Sequence, residues 1–243
     1  MGWHTRFTRF GDVHMVFSQE GDNACGIACV RMVLYKVNKL SWGKSALTSE
    51  HALYNVYGNV SGVAYDGSAY TYANHLATVL TRLTANNWMS EQLTATEVSQ
   101  KLVDMVAVDV VGGSLINTLT RGDPMILLVG WNNSCAHFVV VDTINRLPLG
   151  KQLYASVCDP WDGDVHITPL AVAQPFTYLA QNQTFDEPGS RTAAPGAAPR
   201  TRWERAKEIV TQGKSSFSIG SPEHSYADVA MGGTANGWVI RRA

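Results

Sequence analysis

Long apolar runs are missing from this chain. The most extended, "PMILLVGW" at residues 124–131, falls far short of the ~20 residues that cross a bilayer, so it reads as a buried strand and no membrane insertion is expected. A dominant charge is missing too. The formal net charge is −1 over 243 residues, and no stretch interleaves Lys and Arg with aromatics densely enough to follow a phosphate backbone, which sets nucleic acid aside as a partner. Cysteine is scarce. Cys25, Cys29, Cys135 and Cys158 are too few to staple a chain of this length, and the first pair would share one helical face, so reduced thiols are expected. The opening "MGWHTRFTRFGDVHMVF" has no apolar signal-peptide core, and Arg6 breaks the myristoylation pattern. Synthesis is therefore expected in the cytoplasm, with any export by a signal-independent route.

What the chain does have is close to half hydrophobic residues, enough for one sizeable core. After an extended, aromatic-rich start, residues 25–37 carry the wide apolar stripe of a mostly buried helix, with Asn23 placed as its N-cap. Residues 45–54 and 68–83 read as further helices. "TATEVSQKLVDMVA" adds another, with a capping pattern at Thr94 or Thr96, and a short one is expected at 114–121. From there the period turns extended. "PMILLVGW", "HFVVVDTI", "KQLYASVCDP" and "DGDVHITP" are short, β-branched and separated by turn residues, the pattern of an antiparallel sheet. Helices first and strands afterwards predict an α+β fold in two segregated layers, with a groove between them. Residues 183–200 have linker composition, and 201–243 read as a short helix followed by a Gly/Ser-rich tail, leaving 1–182 as the main domain. The tail is net positive and the body net negative, which suggests that the tail docks back on the body.

A thiol attacks only as thiolate, and a helix start offers free N–H groups and the positive dipole end. Cys25 stands at such a start, whereas Cys29 lies one turn further in and reads as a buried structural residue. Gly26 would let a substrate backbone come close. Cysteine catalysis also needs a base, a group that orients the base and oxyanion donors. His137 opens the apolar strand "AHFVVVD", Asp159 closes the next one, and Gln19 is an amide donor six residues before Cys25. His166, in "DVHITP", reads as part of a surface strand.

Together, Gln19-x5-Cys25-Gly26-x-Ala28, Ala136-His137-Phe138-Val139-Val140-Val141 and Asp159-Pro160 with Gly163 following resemble papain-like cysteine peptidases. The order Gln, Cys, His, Asp and the Cys-Gly-x-Ala-Cys start look most like the bacterial group that processes double-glycine bacteriocin leaders, with its standalone relatives. "LINTLTRGDPMILLVGW" looks like that group's approach to its histidine, and the likeness spans roughly residues 13–170. It implies a helical layer carrying the nucleophile against a twisted antiparallel sheet. It also implies Cys25 as nucleophile, His137 as base and later acid, Asp159 as orienter, and Gln19 with the Cys25 N–H as oxyanion hole. Gly26 and Ala136 would contact substrate, a protein or peptide, and no metal or cofactor is called for. The same triad could instead serve a protein amidase, deamidase or acyltransferase acting as effector or toxin. A zinc module built on Cys25, Cys29, Cys135, His137 and Cys158, or a non-enzymatic interaction module, is the rival of another class. Gly232-Gly233, beyond the linker, raises the further expectation of a tail that occupies the groove as an autoinhibitory or self-processed segment.

Overall fold

A computed structural model describes residues 2–8, 10, 12–37, 49–110, 123–131, 136–146, 152–179, 184–186 and 232–243. In chain order these form β1 (Trp3–Thr8), β2 (Val13–Phe17), α1 (Cys25–Lys36), α2 (Glu50–Ser61), α3 (Ala73–Thr84), β3 (Trp88–Leu93) and α4 (Ala95–Val110). There follow β4 (Met125–Trp131), β5 (Ala136–Arg146), β6 (Leu153–Asp159), β7 (Asp164–Leu170), β8 (Thr177–Leu179), β9 (Thr184–Asp186) and β10 (Gly232–Arg242). The main sheet runs β3-β10-β4-β5-β6-β7 with β8 also pairing β10, and β2-β1-β9 forms a small second sheet. All of their pairings are antiparallel.

Period-2 alternation decides which core each strand feeds. Ile126, Phe138, Val140, Cys158, Val165, Ile167 and Ile240 pack in one cluster with α1, α2 and α3. Their neighbours Leu127, Val139, Val141, Val157 and Val239 pack in a second cluster with Val98 and Leu102 of α4. Helices therefore cover both faces of the sheet, which corrects the expectation of two segregated layers: the central strands β4, β5 and β10 are apolar on both sides, so one helical layer could bury only half of them. The four strands read from residues 124–169 are present in the expected antiparallel order. In β3, "WMSEQL" escaped the sequence reading because it lacks β-branched residues, and it is held as a strand by pairing with β10.

Local signals account for the helix ends. The Ser49 hydroxyl accepts from the Ala52 N–H, and Gly62 closes α2 at φ 76°. Thr94 and Glu97 cap α4 reciprocally, with bonds of 2.6 and 3.2 Å. Only residues 49–54 of the 45–54 helix lie within the described part, where the helix runs on to Ser61 because Leu53, Tyr54 and Tyr57 are buried against the core. The 68–83 helix starts later, at Ala73, since the Tyr57 hydroxyl takes up the Tyr72 N–H. The expected helix at 114–121, Cys135, and the linker and helix from 187 to 231 lie outside the described residues.

The placement of 183–200 as linker and 201–243 as tail needs correction at both ends. Thr184–Asp186 pairs with β1. Gly232–Arg242 is an interior strand of the main sheet, paired with β4 on one side and with β3 and β8 on the other. Gly232 and Gly233 are in register with Leu179 and Tyr178, and Gly233 also with Trp131. Their backbone groups are committed to the sheet, so this pair is not a tail segment free to enter a groove. Among the described residues no helix is long and apolar enough to cross a membrane.

Candidate active site

The loop from Ser18 to Ala24 is tied from several sides, and it delivers Cys25 to the first position of α1. The Gln19 N–H donates to the Pro160 carbonyl at 2.8 Å, joining this loop to the turn that follows Asp159. Buried Glu50 accepts from the Glu20 and Gly21 N–H groups at 3.0 and 3.2 Å. The Asn23 N–H donates to Gly67 O at 3.1 Å, and the Tyr65 hydroxyl to Asn23 O at the same distance. The first intrahelical bond is Ala28 N–H to Ala24 O. Ala24 is the N-cap and offers no side-chain bond, so the N–H groups of the first turn are left for a ligand or thiolate. Asn23 is thus not the cap expected from sequence; its amide is spent on the Ser68 carbonyl.

Gln19 and Gly26, expected as oxyanion donor and substrate contact, make other contacts here. Gln19 directs both amide hydrogens at the Gly21 and Asp22 carbonyls, at 2.9 and 3.0 Å, so in this conformation it shapes the loop and does not offer an oxyanion donor. Gly26 is buried, and a Cβ there would stand 2.2 Å from Thr71 Oγ1 and 2.7 Å from Leu76 Cδ1. Its missing side chain permits close packing of α1 against the 71–76 segment.

Gly67 matters for the same loop. Its φ is +89°, and a Cβ would meet the Tyr54 hydroxyl at 2.4 Å. Gly67→Ala is expected to cost roughly 1–3 kcal/mol in strain and displaced packing. It should also slow Cys25 chemistry, because Gly67 O holds Asn23; denaturant unfolding and thiol-labelling rates of the variant check both.

β5 and β6 lie side by side with Val140 opposite Cys158, which brings His137 and Asp159 together. The His137 Nε2 donates to Asp159 Oδ1 at 2.7 Å. The Cys25 side chain is within hydrogen-bonding reach of the same ring, leaving Nδ1 as the nitrogen for it. Asp159 is only 1% exposed. Its Oδ1 also accepts from the Trp161 N–H and its Oδ2 from the Tyr178 hydroxyl, each at 2.8 Å. Burial alone would lower the His137 value, but the charge and hydrogen bond of Asp159, then Cys25, outweigh it and raise His137 to about 10. Burial would likewise raise Asp159. The charge and hydrogen bond of His137, then His166 and the Trp161 N–H, hold it well below the usual carboxylate range.

Sequence reading missed Tyr178 and misplaced His166. His166 is buried, 2% exposed, with Nε2 2.7 Å from Asp162 Oδ2 and its ring stacked on Tyr178 at 5.7 Å. Burial pushes it down, but Asp162 first, then the charges of Asp159 and Asp164, raise it to about 9. A histidine gaining carboxylate partners across a turn carries no sequence signal. Tyr178 likewise sits in a three-residue strand without a motif.

Both buried imidazoles have the same linkage sign. Each folded value lies above the free-histidine value of ~6.5, so each contribution to stability is complete below that pH and is lost as pH rises through the folded value. Wild-type stability is therefore expected to fall between about pH 6.5 and 10, which unfolding midpoints across that range check. His137→Gln and His166→Gln should each flatten part of the slope.

Cys29 and Cys158 are buried, and burial first of all pushes both thiols up. Cys25 is half-buried and lines a cavity of about 250 Å³. Leu128, Ala136, Phe138 and Trp238 wall it from the sheet, and Tyr70 and Tyr72 from the loop before α3. Ala136 thus lies on the cavity, where a substrate contact was expected. Among the described residues, the groups spaced to hold a metal ion are His14, Asp142 and Cys158, and Asp159, Asp162 and His166, neither being the cysteine set considered for zinc.

No family model matches the sequence, and no curated protein matches it. Among solved structures, the chain is similar to that of a double glycine motif protease from an AMS/PCAT transporter, crystallised in complex with the leader peptide. The two are 20% identical with a TM-score of 0.37 over 68% of this chain and 86% of that one, a likeness too loose to carry an argument about activity.

Proposed function

We propose that the chain is a papain-like cysteine peptidase. The observation that carries this reading is Cys25 at the uncapped start of α1, within reach of an imidazole whose other nitrogen is held by buried Asp159. The Cys25 thiolate adds to a peptide carbonyl carbon, and the oxyanion faces the N–H groups of the α1 first turn. The His137 imidazolium gives its proton to the departing amine as the C–N bond breaks, leaving a thioester on Cys25. His137 then takes a proton from water as that water attacks the thioester, and returns it to the Cys25 sulfur as the acid leaves. Asp159 keeps the ring in the required tautomer and supports its positive charge. The apolar cavity beside Cys25 receives a substrate side chain, with Ala136, Phe138 and Trp238 as its walls.

An alkylating reagent applied to the folded protein, followed by peptide mapping, tests the nucleophile: Cys25 should react well ahead of buried Cys29 and Cys158, and His137→Ala should slow its reaction to that of an ordinary accessible thiol. Preferential modification of a buried cysteine overturns the reading. Incubation with a peptide library then separates the reactions open to such a triad, because hydrolysis shortens the chain whereas deamidation or acyl transfer does not.

A further inference from the structure

We propose that Tyr178 is a positioning residue of this site, holding the Asp159 carboxylate in the plane that aims Oδ1 at His137. The inference rests on the reading of Cys25, His137 and Asp159 as the reactive set. A carboxylate turns readily about its last side-chain bond, because that torsion is broad and roughly two-fold. In Asp159, Oδ1 is taken by His137 Nε2 and the Trp161 N–H, both of which approach the same oxygen. They resist a turn of the carboxylate from one end only. The Tyr178 hydroxyl, 2.8 Å from Oδ2, anchors the other end.

Three features hold Tyr178 for this task. Its ring is 1% exposed, within the apolar cluster that includes Phe176, Val157 and Val239. That ring stacks on His166 at 5.7 Å and an interplanar angle of 28°. Its backbone is in register with Gly233. The tyrosine thus reaches Asp159 from a three-residue strand that the carboxyl-terminal strand keeps in the sheet. A phenol buried among apolar side chains needs an acceptor in any case, so geometry alone fits a purely structural role as well. The two roles differ in what they act through.

Tyr178→Phe keeps the ring and removes only the donor. The second-order rate of Cys25 alkylation by iodoacetamide is read near pH 6, where an ordinary thiol is almost wholly protonated, together with turnover of a cleaved peptide. Both are expected to fall about tenfold, the order of a hydrogen bond to a charged group, with KM unchanged because Tyr178 does not line the cavity. In an Asp159→Ala background, adding Tyr178→Phe should cause no further loss. Phe176→Leu, a substitution in the same apolar cluster, is the control for loosened packing: it should lower the unfolding midpoint and leave the alkylation rate unchanged. Wild-type rates in Tyr178→Phe, losses that simply add in the double variant, or an equal loss in Phe176→Leu overturn the proposal. If His137→Ala slows alkylation while Tyr178→Phe does not, only the role of Tyr178 falls. If His137→Ala alkylates as fast as wild type, the reading of the site falls and takes this inference with it.

Discussion

Alanine at Cys25 is expected to lower peptide hydrolysis by at least about a thousandfold, since losing the nucleophile of such a triad leaves only binding and oxyanion contributions. The fold should be nearly unaffected, because Cys25 is half-buried at a helix terminus. Cys29→Ala should do the reverse. That thiol is fully buried in the helical core cluster, and burial keeps it protonated, so its loss should cost about 1 kcal/mol of stability and little turnover. Peptide cleavage and denaturant midpoints of the two variants, measured side by side, check the assignment. A Cys29→Ala protein that folds but neither cleaves nor labels, beside an active Cys25→Ala, would falsify it.

Deleting residues 232–243 is expected to abolish cooperative folding altogether. The strand lost is interior to the sheet, with Val239 and Ile240 wholly buried on opposite faces. Each such side chain contributes about 1.5–3 kcal/mol. The deletion also strips pairing from β3, β4 and β8 at once and removes Trp238 from the cavity wall. Set against a typical total stability of about 5–15 kcal/mol, these losses leave no margin. Near-ultraviolet circular dichroism and thermal unfolding of the truncated chain measure this. A cooperative transition together with undiminished labelling of Cys25 would restore the picture of an appended tail.

Cys25 and the two strands that carry His137 and Asp159 were legible because each announces itself locally: a cysteine where a helical stripe begins, a histidine opening one β-branched run and an aspartate closing the next. Adjacent antiparallel strands then place His137 and Asp159 together by register alone. Gln19 and Gly26 were harder. An amide and a glycine have several uses each, and only the neighbouring Gly21 and Asp22 carbonyls and the Thr71 side chain select among them.

By itself the sequence determined the antiparallel run from β4 to β7, the burial of Cys29 and the candidate status of Cys25, all of which follow from periodicity within a few residues. Tertiary structure alone decided that α4 covers the second face, that "WMSEQL" is a strand, and that Gly232–Arg242 lies inside the sheet. It alone also placed Tyr178 on Asp159. In both strands, a segment with weak local preference is held by partners far along the chain. Pairing energy between distant strands leaves no mark on the spacing of residues within either one.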